Sequence, residues 1–94
     1  MKFIVQWQGQ PAAQQAAIER FMKSGGRPPE NVTLLGRWHA VGELKGVAIV
    51  EVSDTTALGE LMLEWGDLFT MSATPASTDE ELGAILAARQ SQAK

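Results

Sequence analysis

The chain opens on a strand pattern: Phe3, Val5 and Trp7 alternate with Lys2, Gln6 and Gln8, and only Ile4 breaks the alternation. Gly9-Gln10-Pro11 stops that run, and Pro11 suits the first turn of a helix. Ala12 to Lys23 is rich in alanine and glutamine and carries an apolar stripe of Ala17, Ile18, Phe21 and Met22, which predicts a helix. Ser24-Gly25-Gly26 ends it with glycine where a left-handed cap is needed, and Pro28-Pro29 bars its continuation. Val32 to Ala40 and Gly46 to Ser53 read as two more strands, joined by a hairpin with glycine near each end. Asp54, or Ser53, caps a second helix with Leu58, Leu61, Met62 and Trp65 at core spacing and Gly66 at its end. Leu68 to Thr74 alternates as a fourth strand, which Pro75 closes at a strand end or a sheet edge. Thr78-Asp79-Glu80-Glu81 has the form of a capping box and starts a last helix over about 78–88, followed by a polar tail at 89–94 that is expected to fray.

The order is therefore βαββαβ plus one helix. Two βαβ halves with right-handed crossovers give an α+β fold of the ferredoxin-like plan: a four-stranded antiparallel sheet with two helices on one face, plus the C-terminal helix. At 94 residues the chain makes a single domain.

The two helices cover one face of that sheet. A solvated second face would leave clean alternation in the strands, but Ile4, Leu34-Leu35 and Val47-Ala48-Ile49-Val50 interrupt it. Runs of this kind predict burial on both sides and hence a second layer. A second copy of the chain, stacked sheet on sheet, supplies one, so a two-fold homodimer is expected. The alternative is a monomer whose terminal helix folds back across the sheet.

Composition narrows the chemistry. Lys and Arg total 8 against 11 Asp and Glu, a net charge of −3, which argues against a nucleic-acid partner and an anionic membrane surface. No stretch approaches the ~20 apolar residues that span a bilayer. The apolar run at the start is too short for a signal-peptide core, so a soluble, cytoplasmic protein is expected. With no cysteine and one histidine, disulfides, thiolate nucleophiles, thiolate zinc sites and two-histidine sites within one chain are excluded. No metal or cofactor is expected.

Gly36-Arg37-Trp38-His39 is the densest cluster of chemistry. On a strand, Arg37 and His39 share one face and Trp38 takes the other. An arginine and a histidine are poor core residues without partners, so they fit a cavity lining or an ion pair. Glu51 on the neighbouring strand is a candidate partner. With the hairpin centred between Glu43 and Leu44 it falls opposite Gly36, on the Trp38 face; a one-residue shift brings it opposite Arg37. Histidine is the residue type that titrates near neutral pH, so His39 and Arg37 are the catalytic candidates. Arg37, Trp38, His39, Glu51 and Trp7 are the ligand-binding candidates. Trp65 reads as core, and Asp67 as the cap of a turn. No serine or threonine stands in a nucleophile motif, and no glycine pattern matches a phosphate loop.

Taken together, Leu34-Leu35-Gly36-Arg37-Trp38-His39, Gly46, Val50-Glu51, Glu64-Trp65-Gly66-Asp67-Leu68 and Thr74-Pro75 resemble the bacterial family called domain of unknown function 3303. The resemblance runs from Lys2-Phe3-Ile4-Val5 to about Glu81. It implies a ferredoxin-like domain of the dimeric α+β barrel type and assigns no reaction. The expected function is that of a dimeric binding or sensing module, holding a small, partly apolar molecule near Arg37, Trp38 and His39. Two alternatives are a structural interaction protein with a filled barrel and a cofactor-independent enzyme. The enzyme would be monooxygenase- or isomerase-like, with His39 moving a proton and Arg37 steadying an oxyanion.

Overall fold

A computed structural model describes residues 1–92 and places the first alternating run as β1 (Lys2–Gln8). A short 3-10 turn over Pro11–Ala13 leads into α1 (Gln14–Ser24). Strands β2 (Val32–His39) and β3 (Lys45–Val52) form the hairpin, followed by α2 (Thr55–Trp65), β4 (Thr70–Ala76) and α3 (Asp79–Gln92). The sheet order is β2-β3-β1-β4, and every neighbouring pair is antiparallel. This is the expected ferredoxin-like α+β architecture.

Local chemistry explains the boundaries. Gly25 adopts φ 69° and its N–H donates to the Phe21 carbonyl at 2.8 Å, which closes α1 in the left-handed region that favours glycine. The Asp54 carboxylate accepts from the Ala57 N–H at 2.9 Å, so Asp54 is the cap of α2. Thr78 and Glu81 exchange reciprocal hydrogen bonds at 2.9 and 3.1 Å, a complete capping box at the head of α3. Hydrogen bonding to its carboxylate from Thr78, first from the backbone N–H and then from the side chain, holds the Glu81 carboxyl below its usual range.

Most boundaries fall within two residues of expectation; those of α3 and β4 are instructive. Helix α3 continues to Gln92, because Ala87-Ala88-Arg89-Gln90 are good helix formers; residues 93–94 of the expected tail lie outside the described residues. Strand β4 starts later and runs through Pro75, which pairs with Phe3. Proline is tolerated there because β4 is an edge strand and has a ladder on one side only.

The core lies between the sheet and the helices. Phe3 and Val5 of β1, Val32 of β2, Ala48, Val50 and Val52 of β3, and Ala57 of α2 are all buried. Helix α2 lies closer to the sheet than α1 does. The other face carries Ile4, Val47 and Ile49 half-buried, with Leu35 and Trp38 51% and 62% exposed. Helix α3 does not fold back to cover it: every described residue of α3 is exposed, including Leu82, Ile85 and Leu86.

Candidate functional site

A cavity of about 420 Å³ lies between the sheet and α1. Val5, Trp7, Ala48 and Val50 form its floor, and Ala17 and Phe21 of α1 face them. Leu61 and Trp65 of α2, with Phe69 and Met71, close one side. The ionisable groups on this largely apolar lining are Arg37, His39 and, toward the hairpin, Glu43 and Lys45.

A β-bulge aims Arg37 and His39 into this space. The β2–β3 register shifts between Leu34 and Gly36, so Leu35 is an extra residue. Below the bulge Val32 and Leu34 face the helices. Strict alternation from there would turn Arg37 and His39 toward the uncovered face. The additional residue reverses the phase, bringing Arg37 opposite Ala48 and His39 opposite Gly46 on the helix side. The Leu34-Leu35 run, expected as a mark of two-sided burial, is the footprint of this bulge, and Leu35 is left exposed on the far face.

Arg37 is anchored from behind. Its guanidinium donates to the Gly26 carbonyl at 2.5 Å and lies 5.1 Å from the centre of the Phe21 ring. Gly26 sits at φ 68°, and a Cβ there would meet the Phe21 ring and Nη2 of Arg37, so a larger residue would expel the guanidinium. The His39 ring meets Trp7 and Phe21 edge-on, with centroid distances of 5.9 and 5.6 Å. Trp7 lies over Gly46 of the adjacent strand, where a Cβ would collide with its indole.

Of the five expected site residues, Arg37, His39 and Trp7 therefore come together. Trp38 and Glu51 do not. Trp38 lies on the opposite face, its indole folded over Gly36. Glu51 pairs with Thr33, opposite neither Gly36 nor Arg37, because the hairpin turns about Gly42-Glu43 and the bulge adds one more residue of offset. It instead lies 3.7 Å from the Lys2 ammonium and 3.4 Å from the Met1 amine. The anticipated Arg37–Glu51 pair is replaced by the Arg37–Gly26 bond. Among the described residues, no group of three His, Cys, Asp or Glu is placed to hold a metal ion.

A second arginine holds the cavity together. Arg20 of α1 donates two bonds of 2.7 Å to the Asp67 carboxylate and a third of 2.8 Å to the Glu64 carbonyl, strapping α1 to the end of α2. The hydrogen bond from Arg20 holds the Asp67 carboxyl below its usual range. Asp67 is thus an inter-helix anchor as well as a turn residue. Nothing in the spacing of Arg20 and Asp67, 47 residues apart, signals this pairing. Phe21 and Gly26 were legible only as a core stripe and a helix stop.

The fold defines a ferredoxin-like α+β domain with an apolar cavity bearing a histidine and an arginine. The chain matches the family described as Domain of unknown function (DUF3303) over residues 1–90, and belongs to it. No curated protein matches it. Among the described residues, no helix is long and apolar enough to cross a membrane.

Proposed function

We propose that the protein is a small-molecule-binding or sensing module that works as a homodimer, each protomer holding a partly apolar ligand in the cavity beside Arg37 and His39. The observation that carries this reading is the cavity itself. Its volume of about 420 Å³ lies in the ~300–1,000 Å³ range of ligand sites, and two polar side chains converge on apolar walls. An acid–base role for His39 has less support. Among the described residues no side-chain hydrogen bond orients the imidazole, whereas a working base is held by a third group.

The dimer rests on surface arithmetic as well as pattern. A monomeric globule of this mass exposes about 5,300 Å², whereas this chain exposes 6795 Å². Its radius of gyration is 16.2 Å, against about 12 Å for a compact domain of this length. The excess of roughly 1,500 Å² is what one protomer gives up in a large permanent interface. A second copy would cover Leu35, Trp38, Val47 and Ile49 sheet on sheet and receive the Leu82-Ile85-Leu86 stripe of α3.

Native mass spectrometry of freshly purified protein tests both halves. The expected spectrum holds a dimer carrying additional small-molecule mass, and His39→Ala should lower ligand retention with little change in melting temperature. A ligand-free spectrum at every concentration would count against binding. Dissociation or unfolding of the dimer by His39→Ala would favour the structural alternative.

A further inference from the structure

The geometry points to an aromatic monocarboxylate as the ligand class, with its carboxylate on Arg37 and its ring among Trp7, Phe21, Trp65 and Phe69. This inference rests on the binding reading above and specifies it. The charges on the cavity wall do not balance. Glu43 and Lys45 lie 3.7 Å apart and satisfy each other, which leaves Arg37. No carboxylate of the described residues lies within 4.0 Å of its guanidinium. The contrast with Arg20, closed on both Nη atoms by Asp67, is direct.

A guanidinium carries five N–H donors in a planar fork, and Arg37 has a carbonyl partner for one. It is half-buried and stacked on Phe21, so the group is partly stripped of water and fixed in orientation. A planar carboxylate is the geometric complement of such a fork. The aromatic walls define the rest of the ligand. Four large rings line this space of about 420 Å³, which suits a flat aromatic body. His39, edge-on to Trp7 and Phe21, borders the same space and offers a further polar contact.

The test compares 2-naphthoate with its isosteric, uncharged amide by isothermal titration calorimetry on the 94-residue chain. The acid should bind at least ~10-fold more tightly than the amide, the margin of a charge-assisted bidentate contact. Arg37→Gln should bring the acid's affinity down to within about twofold of the amide's, and Arg37→Lys, which keeps the charge and loses the fork, should fall between. Equal affinity of acid and amide for the wild-type protein would overturn the carboxylate assignment while leaving the cavity a binding site. Binding of neither would overturn the aromatic body, and the native mass spectrum then judges the binding reading separately. The wild-type comparison stands even if an Arg37 variant fails to fold.

Discussion

Two tryptophans lie on two glycines, one pair on each face of the same sheet. On the helix side Trp7 crosses Gly46, and on the other side Trp38 folds over Gly36. The local device is the same: a missing Cβ lets an indole lie flat against the backbone. The outcomes differ because of what lies above. Trp7 is half-buried under α1 and forms part of a cavity floor, whereas Trp38 is 62% exposed with no layer over it among the described residues. A sheet face acquires a function from the second layer, and here one chain supplies only one such layer.

The largest expected effect separates the two pairs. A Cβ at Gly46 would collide with the Trp7 ring and lie 2.6 Å from the Trp38 carbonyl oxygen, which is backbone and cannot swing aside. Gly46→Val should therefore cost about 3 kcal/mol or more, a fall of roughly 12–24 °C in Tm for a domain of this size. A Cβ at Gly36 meets the exposed Trp38 ring, which can rotate away, so Gly36→Val should cost at most about 1 kcal/mol. Thermal melts of the two variants side by side measure the difference; equal losses would mean that Trp38 is pinned as firmly as Trp7.

A smaller effect sharpens the contrast between the faces. Ile49 is half-buried on the uncovered side and lies away from the cavity. Ile49→Asp should convert the proposed dimer into a monomer at low micromolar concentration, read by sedimentation, while shifting ligand affinity less than about threefold, the ordinary scatter for a site outside the pocket. A dimer that survives the added charge would place the interface elsewhere.

The smallest effect concerns the strap over the cavity. Arg20 depresses the Asp67 carboxyl, so this pair adds stability above the unfolded aspartate value of about 3.9, and the gain is lost as pH falls through the lower folded value. Asp67 is exposed and Arg20 only half-buried, and the contribution is modest. Asp67→Asn should lower Tm slightly at neutral pH. The gap to wild type should narrow below about pH 4 and close in stronger acid, as followed by circular dichroism. A gap independent of pH would show that Asp67 acts through its turn rather than through Arg20.

The limits of legibility fall at particular residues. Gly25, Asp54 and the Thr78–Glu81 box declared their helix ends, because a cap needs only residues within one turn of each other. Pro75 narrowed its place to a strand end or an edge, because a missing N–H has the same meaning in any sheet, and the edge is where it lies. Glu51 misled, since its partner depends on where the hairpin turns and on one additional residue at Leu35, and a slip of one position reverses every side chain beyond it.

The sequence by itself determined the order of strands and helices, their caps, the sheet plan and the pairing of Arg37 with His39 on one face. These follow from periodicity and from contacts a few residues apart. Only the tertiary structure decided which face that is, that Trp7 joins them while Trp38 and Glu51 do not, and that Arg20 is spent on Asp67 while Arg37 has no such partner. Each of those outcomes depends on a register or on a contact between distant elements; the bulge leaves only the ambiguous Leu34-Leu35 run in the sequence, and the long-range contacts leave no local trace.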